Sequence, residues 1–152
     1  MILPSADLAL KFRRAKPDDV AQMSEIRLAV SENVLSDPSK LTPQMYLDYL
    51  DRLGRGWVCE SDGQIVGFSY AARVDSSIWA LFVRPGQEGR GIGKELLRLA
   101  VLWLFAIGMT EVKLATTVNT RAERFYQAQG WVRGEMKSDV EVLFRLQRQA
   151  ST

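Results

Sequence analysis

The chain has no histidine and one cysteine, Cys59. Without histidine there is no Ser-His or Cys-His pair, so acid and base work falls to Glu, Asp, Tyr, Lys or water. A lone cysteine makes neither a disulfide framework nor a cysteine-based metal site; this fits a reducing cytoplasm, and no metal is expected. Neither sign of charge dominates: 20 Lys and Arg against 18 Asp and Glu leave a net +2, spread over Lys11–Lys16, Arg84–Lys94, Arg121–Arg124 and Arg145–Arg148. So mild an excess suits a phosphorylated small ligand. It gives no basic stripe with interleaved aromatics, so no nucleic-acid partner is expected. Long apolar runs are also missing. Leu99–Met109 is about half the length that spans a bilayer, and the N-terminus lacks the order of a signal peptide, so the expectation is a cytoplasmic protein with no membrane contact and with that run as a buried helix. No linker, low-complexity tract or repeat divides the 152 residues, which predicts one domain over 1–152.

Glycine is concentrated in one place, Arg84-Pro85-Gly86-Gln87-Glu88-Gly89-Arg90-Gly91-Ile92-Gly93-Lys94. Alternating Gly89, Gly91 and Gly93 let the backbone turn tightly and bring its N–H groups up to a ligand, while the following helix points its positive end at the same spot. That geometry binds phosphates. A Walker A loop needs a glycine five residues before Gly-Lys and a Ser or Thr after it, where this chain has Glu88 and Glu95. A dinucleotide fingerprint fails as well, because Lys94 or Leu96 stands in place of its third glycine. The plainer reading is a glycine-rich turn capping an ordinary helix.

The remaining pattern predicts the order β-α-α-β-β-β-α-β-α-β-β. A strand at Ala9–Arg14 precedes a helix opened by Pro17-Asp18-Asp19, and a second helix spans Pro43–Leu53, with Thr42 as cap and Gly54-Arg55-Gly56 as stop. Strands Trp57–Glu60, Ile65–Ala72 and Ser77–Val83 form an antiparallel meander whose first turn, Ser61-Asp62-Gly63, is a hairpin signal. A helix over Gly93–Ile107 leads to a strand at Glu111–Thr116 that lies parallel to a neighbour. A short helix at Arg121–Gln129 and strands near Trp131–Glu135 and Glu141–Leu146 complete the chain. On the short helix Ala122, Phe125, Tyr126 and Gln129 share a face, and Asn119 precedes it as a cap or ligand contact. The alternative makes Phe125 and Tyr126 core aromatics.

Together the two segments resemble the GNAT superfamily of N-acetyltransferases, which use acetyl-coenzyme A. Val83-x-Pro85, Glu88-x-x-Gly91-x-Gly93 and Leu96-Leu97 look like its first signature, and Asn119, Ala122, Tyr126 and Gly130-Trp131 look like its second. The resemblance covers nearly the whole chain and implies an α/β fold with a mixed, mostly antiparallel central sheet flanked by helices. Two positions depart from the pattern. Glu88 stands where the family often has Gln or Arg, and a carboxylate there repels a pyrophosphate, leaving the backbone N–H groups of Gly89, Gly91, Gly93 and Lys94. Trp131 replaces the usual Phe.

The resemblance further implies an enzyme that moves an acetyl group to a primary amine of a small-molecule or peptide acceptor by direct attack in a ternary complex; it also admits a homodimer. The cofactor arm would lie between the Ser77–Val83 and Glu111–Thr116 strands, held by the backbone of Leu81, Phe82 and Val83, with the Leu81 N–H polarising the thioester carbonyl. Glu88, Gly89, Arg90, Gly91, Ile92, Gly93 and Lys94 would surround the phosphates. Asn119, Arg121, Ala122, Arg124 and Tyr126 would face the cofactor from the second segment. Tyr126 matches the family's acid for the departing thiolate. For the base, Glu32 and a water chain both serve. The acceptor site would be built from Ser31–Leu35, Thr42–Leu53 and Arg73–Ser77. A non-catalytic acyl-coenzyme A sensor is the rival; it needs the loop but not Tyr126.

Overall fold

The turn between Ser61 and Gln64 holds Asp62 and Gly63 at positive φ, 54° and 75°. This is the backbone of a two-residue hairpin whose twist matches its strands. In the computed structural model, which describes residues 9–30, 43–50 and 52–149, this turn joins β2 (Gly54–Ser61) to β3 (Gln64–Ala72), and a second turn leads to β4 (Ser77–Val83). Ahead of them come β1 (Leu10–Arg14), a 3-10 turn at Pro17–Asp19, α1 (Val20–Ala29) and α2 (Pro43–Asp48). After them come α3 (Ile92–Ala106), β5 (Glu111–Thr117), α4 (Arg121–Ala128), β6 (Val132–Met136) and β7 (Glu141–Gln147). The strands form one sheet in the order β1-β2-β3-β4-β5-β7-β6. Among the described residues its one parallel pair is β4 with β5, reached through α3 as such a crossover requires.

Each face of the sheet carries its own core, so β3 is buried almost throughout. On one face Leu96, Ala100 and Leu104 of α3 pack with Val66, Val112 and Phe144. On the other, Met23 and Ile26 of α1 and Tyr46 of α2 pack with Val58, Phe68, Tyr70 and Phe82. Arg13 in β1 ties the entry to α1 by forking onto Asp19 at 2.8 and 2.9 Å, and Asp19 also accepts the Lys16 N–H at 2.8 Å.

The predicted element order holds, with local differences. Helix α2 ends at Asp48 rather than Leu53, and β2 starts at Gly54. Gly54 and Gly56 are therefore strand residues rather than a helix stop. A Cβ on Gly54 would lie 1.9 Å from the Ala71 carbonyl oxygen, and one on Gly56 would lie 2.7 Å from the Tyr70 ring. Close approach by β3 demands glycine there. Helix α3 is not buried all round, since Leu102 is 49% exposed. Glu32, the segment Ser31–Leu35 and Thr42 lie outside the described residues.

Gly67 sets how closely α3 approaches the sheet. A Cβ there would meet Ile92 Cγ2 at 2.9 Å, and Leu96 Cδ1 and the Phe82 carbonyl oxygen at 3.1 Å. Gly67→Ala should therefore cost about 1–3 kcal/mol through overpacking and lower the melting temperature by roughly 3–10 °C. Thermal unfolding checks this; a shift below about 1 °C would show that α3 does not seat on Gly67.

Candidate active site

The site begins with an irregularity in β4. Tyr70 pairs with Ala80 but its neighbour Ala71 pairs with Ile78, so Trp79 is an extra residue on the β4 side. Such a bulge bends its strand and reverses the facing of the residues beyond it. Ile78 packs in the α3-side core, Trp79 and Ala80 both in the α1-side core, and alternation resumes with Leu81 on the α3 side. The pairing of β4 with β5 is confined to Ser77↔Lys113, marked by the Lys113 N–H bond to the Ser76 carbonyl at 3.0 Å. Beyond it the strands part.

The direction of the β4 peptide groups can be read from one bond. The Arg84 N–H donates to the Val66 carbonyl at 2.7 Å, and with Val83 opposite Gly67 this is the bond that flanks a non-hydrogen-bonded pair. Val83 therefore turns its own N–H and C=O away from β3, and so does Leu81, two residues back and opposite Ser69. Both sets of peptide groups face the gap left by β5. Phe82, between them, pairs with Phe68 of β3 instead.

The glycine loop closes one end of this gap. Gly89 and Gly91 take φ of 83° and 79°, and Gly91 is the N-cap of α3 with no side-chain cap bond. Because the Glu95 N–H is bonded to the Gly91 carbonyl, the N–H groups of Ile92, Gly93 and Lys94 precede the first bond within the helix and carry its positive end. Glu88 is exposed; its carboxylate accepts the Gly86 N–H at 2.8 Å. Bonds from its own and the Gly86 backbone N–H hold its pKa below the usual carboxylate range. Its charge is thus partly taken up in bracing the loop.

Helix α4 supplies the facing wall. Its cap is Thr120, whose Oγ1 accepts the Glu123 N–H at 3.2 Å, and this corrects the reading of Asn119 as the cap. Asn119 sits at φ 62° and donates its N–H to Glu123 Oε1 at 2.7 Å. Glu123, 8% exposed, also accepts from Arg133 Nε at 2.9 Å; that bond first, then the Asn119 N–H, holds its pKa low. One turn on, Tyr126 is 7% exposed and packs against Phe125, Trp131 and Phe144 at ring centroid distances of 5.3, 5.9 and 6.1 Å. Burial pushes its hydroxyl pKa well above the usual tyrosine value, so it is protonated at neutral pH.

A cavity of about 460 Å³ joins these parts. Leu81, Phe82 and Val83 line it from β4; Glu88, Gly89, Gly91, Ile92, Gly93 and Lys94 from the loop and α3; and Arg121, Ala122 and Tyr126 from α4. Because Phe82 belongs to the α1-side core while Ile92 and Tyr126 belong to the α3-side core, the cavity passes through the split in the sheet. Arg90, Asn119 and Arg124 do not line it. Arg90 bonds Gln87 Oε1 at 2.6 Å, Asn119 is turned onto Glu123, and Arg124 is on the exposed side of α4. The sequence reading left Gln87, Phe125, Gln129 and Val30 out of the site; all four line the cavity. Phe125 and Gln129 share the helical face of Ala122 and Tyr126, which was a sufficient signal.

This architecture is that of structurally known N-acetyltransferases. The PaiA N-acetyltransferase of Thermoplasma acidophilum, solved with coenzyme A, superposes with a TM-score of 0.81 at 16% identity, covering 93% of this chain and 100% of that one. The Salmonella typhimurium protein yncA, solved with acetyl-CoA, gives 0.72 at 17% identity over 91% and 94%. The chain belongs to the acetyltransferase (GNAT) family, whose model matches residues 21–131. It is also 33% identical over 92 residues to N-acetyltransferase family 8 member 2 of Rattus norvegicus; the match spans 55% of this chain and 41% of that curated relative, less than half its length.

Two measurements probe this geometry. Gly93 lacks a positive φ, and a Cβ on it would stand 3.6 Å from Val83 Cγ2 and 3.9 Å from Phe125 Cζ, so Gly93→Val extends into the cavity without straining the backbone. Coenzyme A affinity by calorimetry should fall by roughly 10-fold or more with the melting temperature little changed; wild-type affinity in a folded variant would remove Gly93 from the ligand's path. Gly91→Val is a poorer probe because φ there is 79°. The second concerns pH. The Glu123 pKa is lowered by folding, so its contribution is complete above the unfolded value of about 4.3 and is lost as pH falls through the lower folded value. Arg133 is half exposed, which trims the ion pair, so Glu123→Gln should cost about 1 kcal/mol at neutral pH. Melting curves of variant and wild type should converge toward about pH 3; a constant difference would mean that Glu123 carries no charge-dependent stability.

Proposed function

We propose that the chain catalyses transfer of an acetyl group from acetyl-CoA to a primary amine, by direct attack while both substrates are bound. The observation that carries this reading is the cavity through the split sheet, which has free backbone donors at one end, strand peptide groups along its side and a protonated tyrosine on its wall. The residues fit the cofactor. The N–H groups at the start of α3 suit phosphate oxygens, and the outward peptide groups of Leu81 and Val83 suit the amides of a pantetheine arm laid down like an added strand. When bound, acetyl-CoA supplies an activated acyl carbon: the amine nitrogen bonds to it, the carbon–sulfur bond breaks, and the pair of electrons leaves on sulfur.

In this reading the Leu81 N–H donates to the carbonyl oxygen as negative charge grows there, a contribution of about 3 kcal/mol for one well-placed donor. Tyr126 gives its proton to the sulfur as the carbon–sulfur bond breaks, and the amine's surplus proton passes through water to restore the tyrosine hydroxyl. Arg121 and Lys94, both exposed and both lining the cavity, neutralise phosphate charge. An acyl-coenzyme A sensor would need the donors but no buried, protonated hydroxyl beside them.

Tyr126→Phe keeps the ring packing and removes the proton. Acetyl-CoA affinity should change little, while kcat falls by roughly 100-fold or more on whichever amine an assay of coenzyme A release identifies. Unchanged kcat, with the chemical step shown to limit the rate, would assign Tyr126 to the core alone.

A further inference from the structure

We propose that the acceptor carries a carboxylate besides its amine, and that Arg27 and the indole N–H of Trp79 recognise it on the α1 face of the sheet. The inference rests on the acetyl-transfer reading above and names the class of its second substrate.

Arg27 lies in the last turn of α1 and is 5% exposed. Its guanidinium carbon sits 5.5 Å from the centre of the Phe82 ring. Among the described residues no carboxylate is paired with it, whereas the buried carboxylates Asp19 and Glu123 each hold an arginine. Stacking on a ring offsets only part of the desolvation of a guanidinium and leaves its in-plane N–H fork open. The surroundings of Arg27 point to a ligand. Phe82 lines the cavity, and so does Val30, three residues beyond Arg27. Arg27 therefore backs the wall that lies across the split from the glycine loop and α3.

A second donor borders the same neighbourhood. Trp79 Nε1 is buried and has no hydrogen-bond partner among the described residues. Its ring stacks on Tyr70 at 4.8 Å and meets Tyr46 at 5.9 Å, and Tyr46 in turn lies within the field of Arg27. Both groups only donate. A buried indole N–H without an acceptor beside a buried guanidinium without a carboxylate partner among the described residues suits a ligand that brings oxygens and negative charge, and the planar fork of arginine matches a carboxylate. The bulge that displaces β4 from β5 is also what places Trp79 on this face.

The test uses the full chain with acetyl-CoA, and the twenty common amino acids beside their carboxamides, which keep the amine and lose the charge. Release of coenzyme A and thermal shifts are both read. For at least one side chain the acid should exceed its amide in kcat/KM by roughly 10- to 100-fold. Arg27→Gln should erase that ratio while the affinity for acetyl-CoA stays within about twofold, Arg27→Lys should restore part of it, and Trp79→Phe should reduce it less. Amides as good as acids, or an Arg27→Gln loss equal for both, would overturn the proposal. If no amine is acetylated, the acetyl-transfer reading fails by itself. The carboxylate site then stands on acids, but not amides, raising the wild-type melting temperature and losing that effect in Arg27→Gln, and falls if the wild type shows no such difference. Should Arg27→Gln not fold, the wild-type comparison of acid with amide still decides.

Discussion

One missing ladder determines the architecture of this site. Parallel strands β4 and β5 pair only at Ser77↔Lys113, because the Trp79 bulge bends β4 away immediately afterwards. An unpaired strand edge in a protein interior is costly, since each buried peptide group without a partner forfeits about 1–3 kcal/mol. Here the outward groups of Leu81 and Val83 open onto a cavity and remain available to a ligand that brings its own amides. The split is therefore a departure from regular sheet structure that, in the proposed reaction, serves as a binding edge. Its two sides are held by different contacts: α3 seats on Gly67 of β3, the strand paired with β4, and β7 pairs along the whole of β5.

The ionised groups divide into those that hold the scaffold and those free to serve it. Arg13 with Asp19, and Glu123 with Arg133 and the Asn119 N–H, lie where elements enter or leave the sheet. Stranding the buried Asp19 carboxylate by removing Arg13 costs about 3–5 kcal/mol, whereas the Glu123 pair, with Arg133 half exposed, contributes about 1 kcal/mol. Arg27 differs. A desolvated cation–π contact such as that on Phe82 contributes about 2 kcal/mol, against a desolvation penalty of several kcal/mol for a buried ion. That imbalance separates it from the structural arginines.

Much of the fold was legible because it is written in local chemistry. Ser77–Val83 as a strand, Asp62-Gly63 as a hairpin turn and the face shared by Ala122, Phe125, Tyr126 and Gln129 are all set by neighbours within a few residues. The features that were missed depend on contacts distant in sequence. The bulge leaves no mark in Ile78-Trp79-Ala80-Leu81-Phe82, since both faces of β4 are apolar and no polar alternation exists to break. Gly54 and Gly56 look like a helix stop until β3 is laid across them. Thr120 is the exception: a threonine with Glu123 three residues later is a capping pattern readable without any structure, and Asn119, an equally good capper by type, obscured it.

The burial of Tyr126 carries a mechanistic consequence. Desolvation raises its hydroxyl pKa above the ordinary tyrosine value of about 10, while a thiol lies near 8.5. Full proton transfer from Tyr126 to a free thiolate would thus run uphill by at least about 2 kcal/mol. In the proposed reaction the hydroxyl instead works while the carbon–sulfur bond is breaking, when a hydrogen bond from a buried donor to the charged sulfur is stronger than one in water. The same burial that weakens Tyr126 as a bulk acid strengthens it as a donor aimed at developing charge. Its packing against Trp131 and Phe144, which buries the ring, would in the proposed reaction serve the chemistry as well as the core.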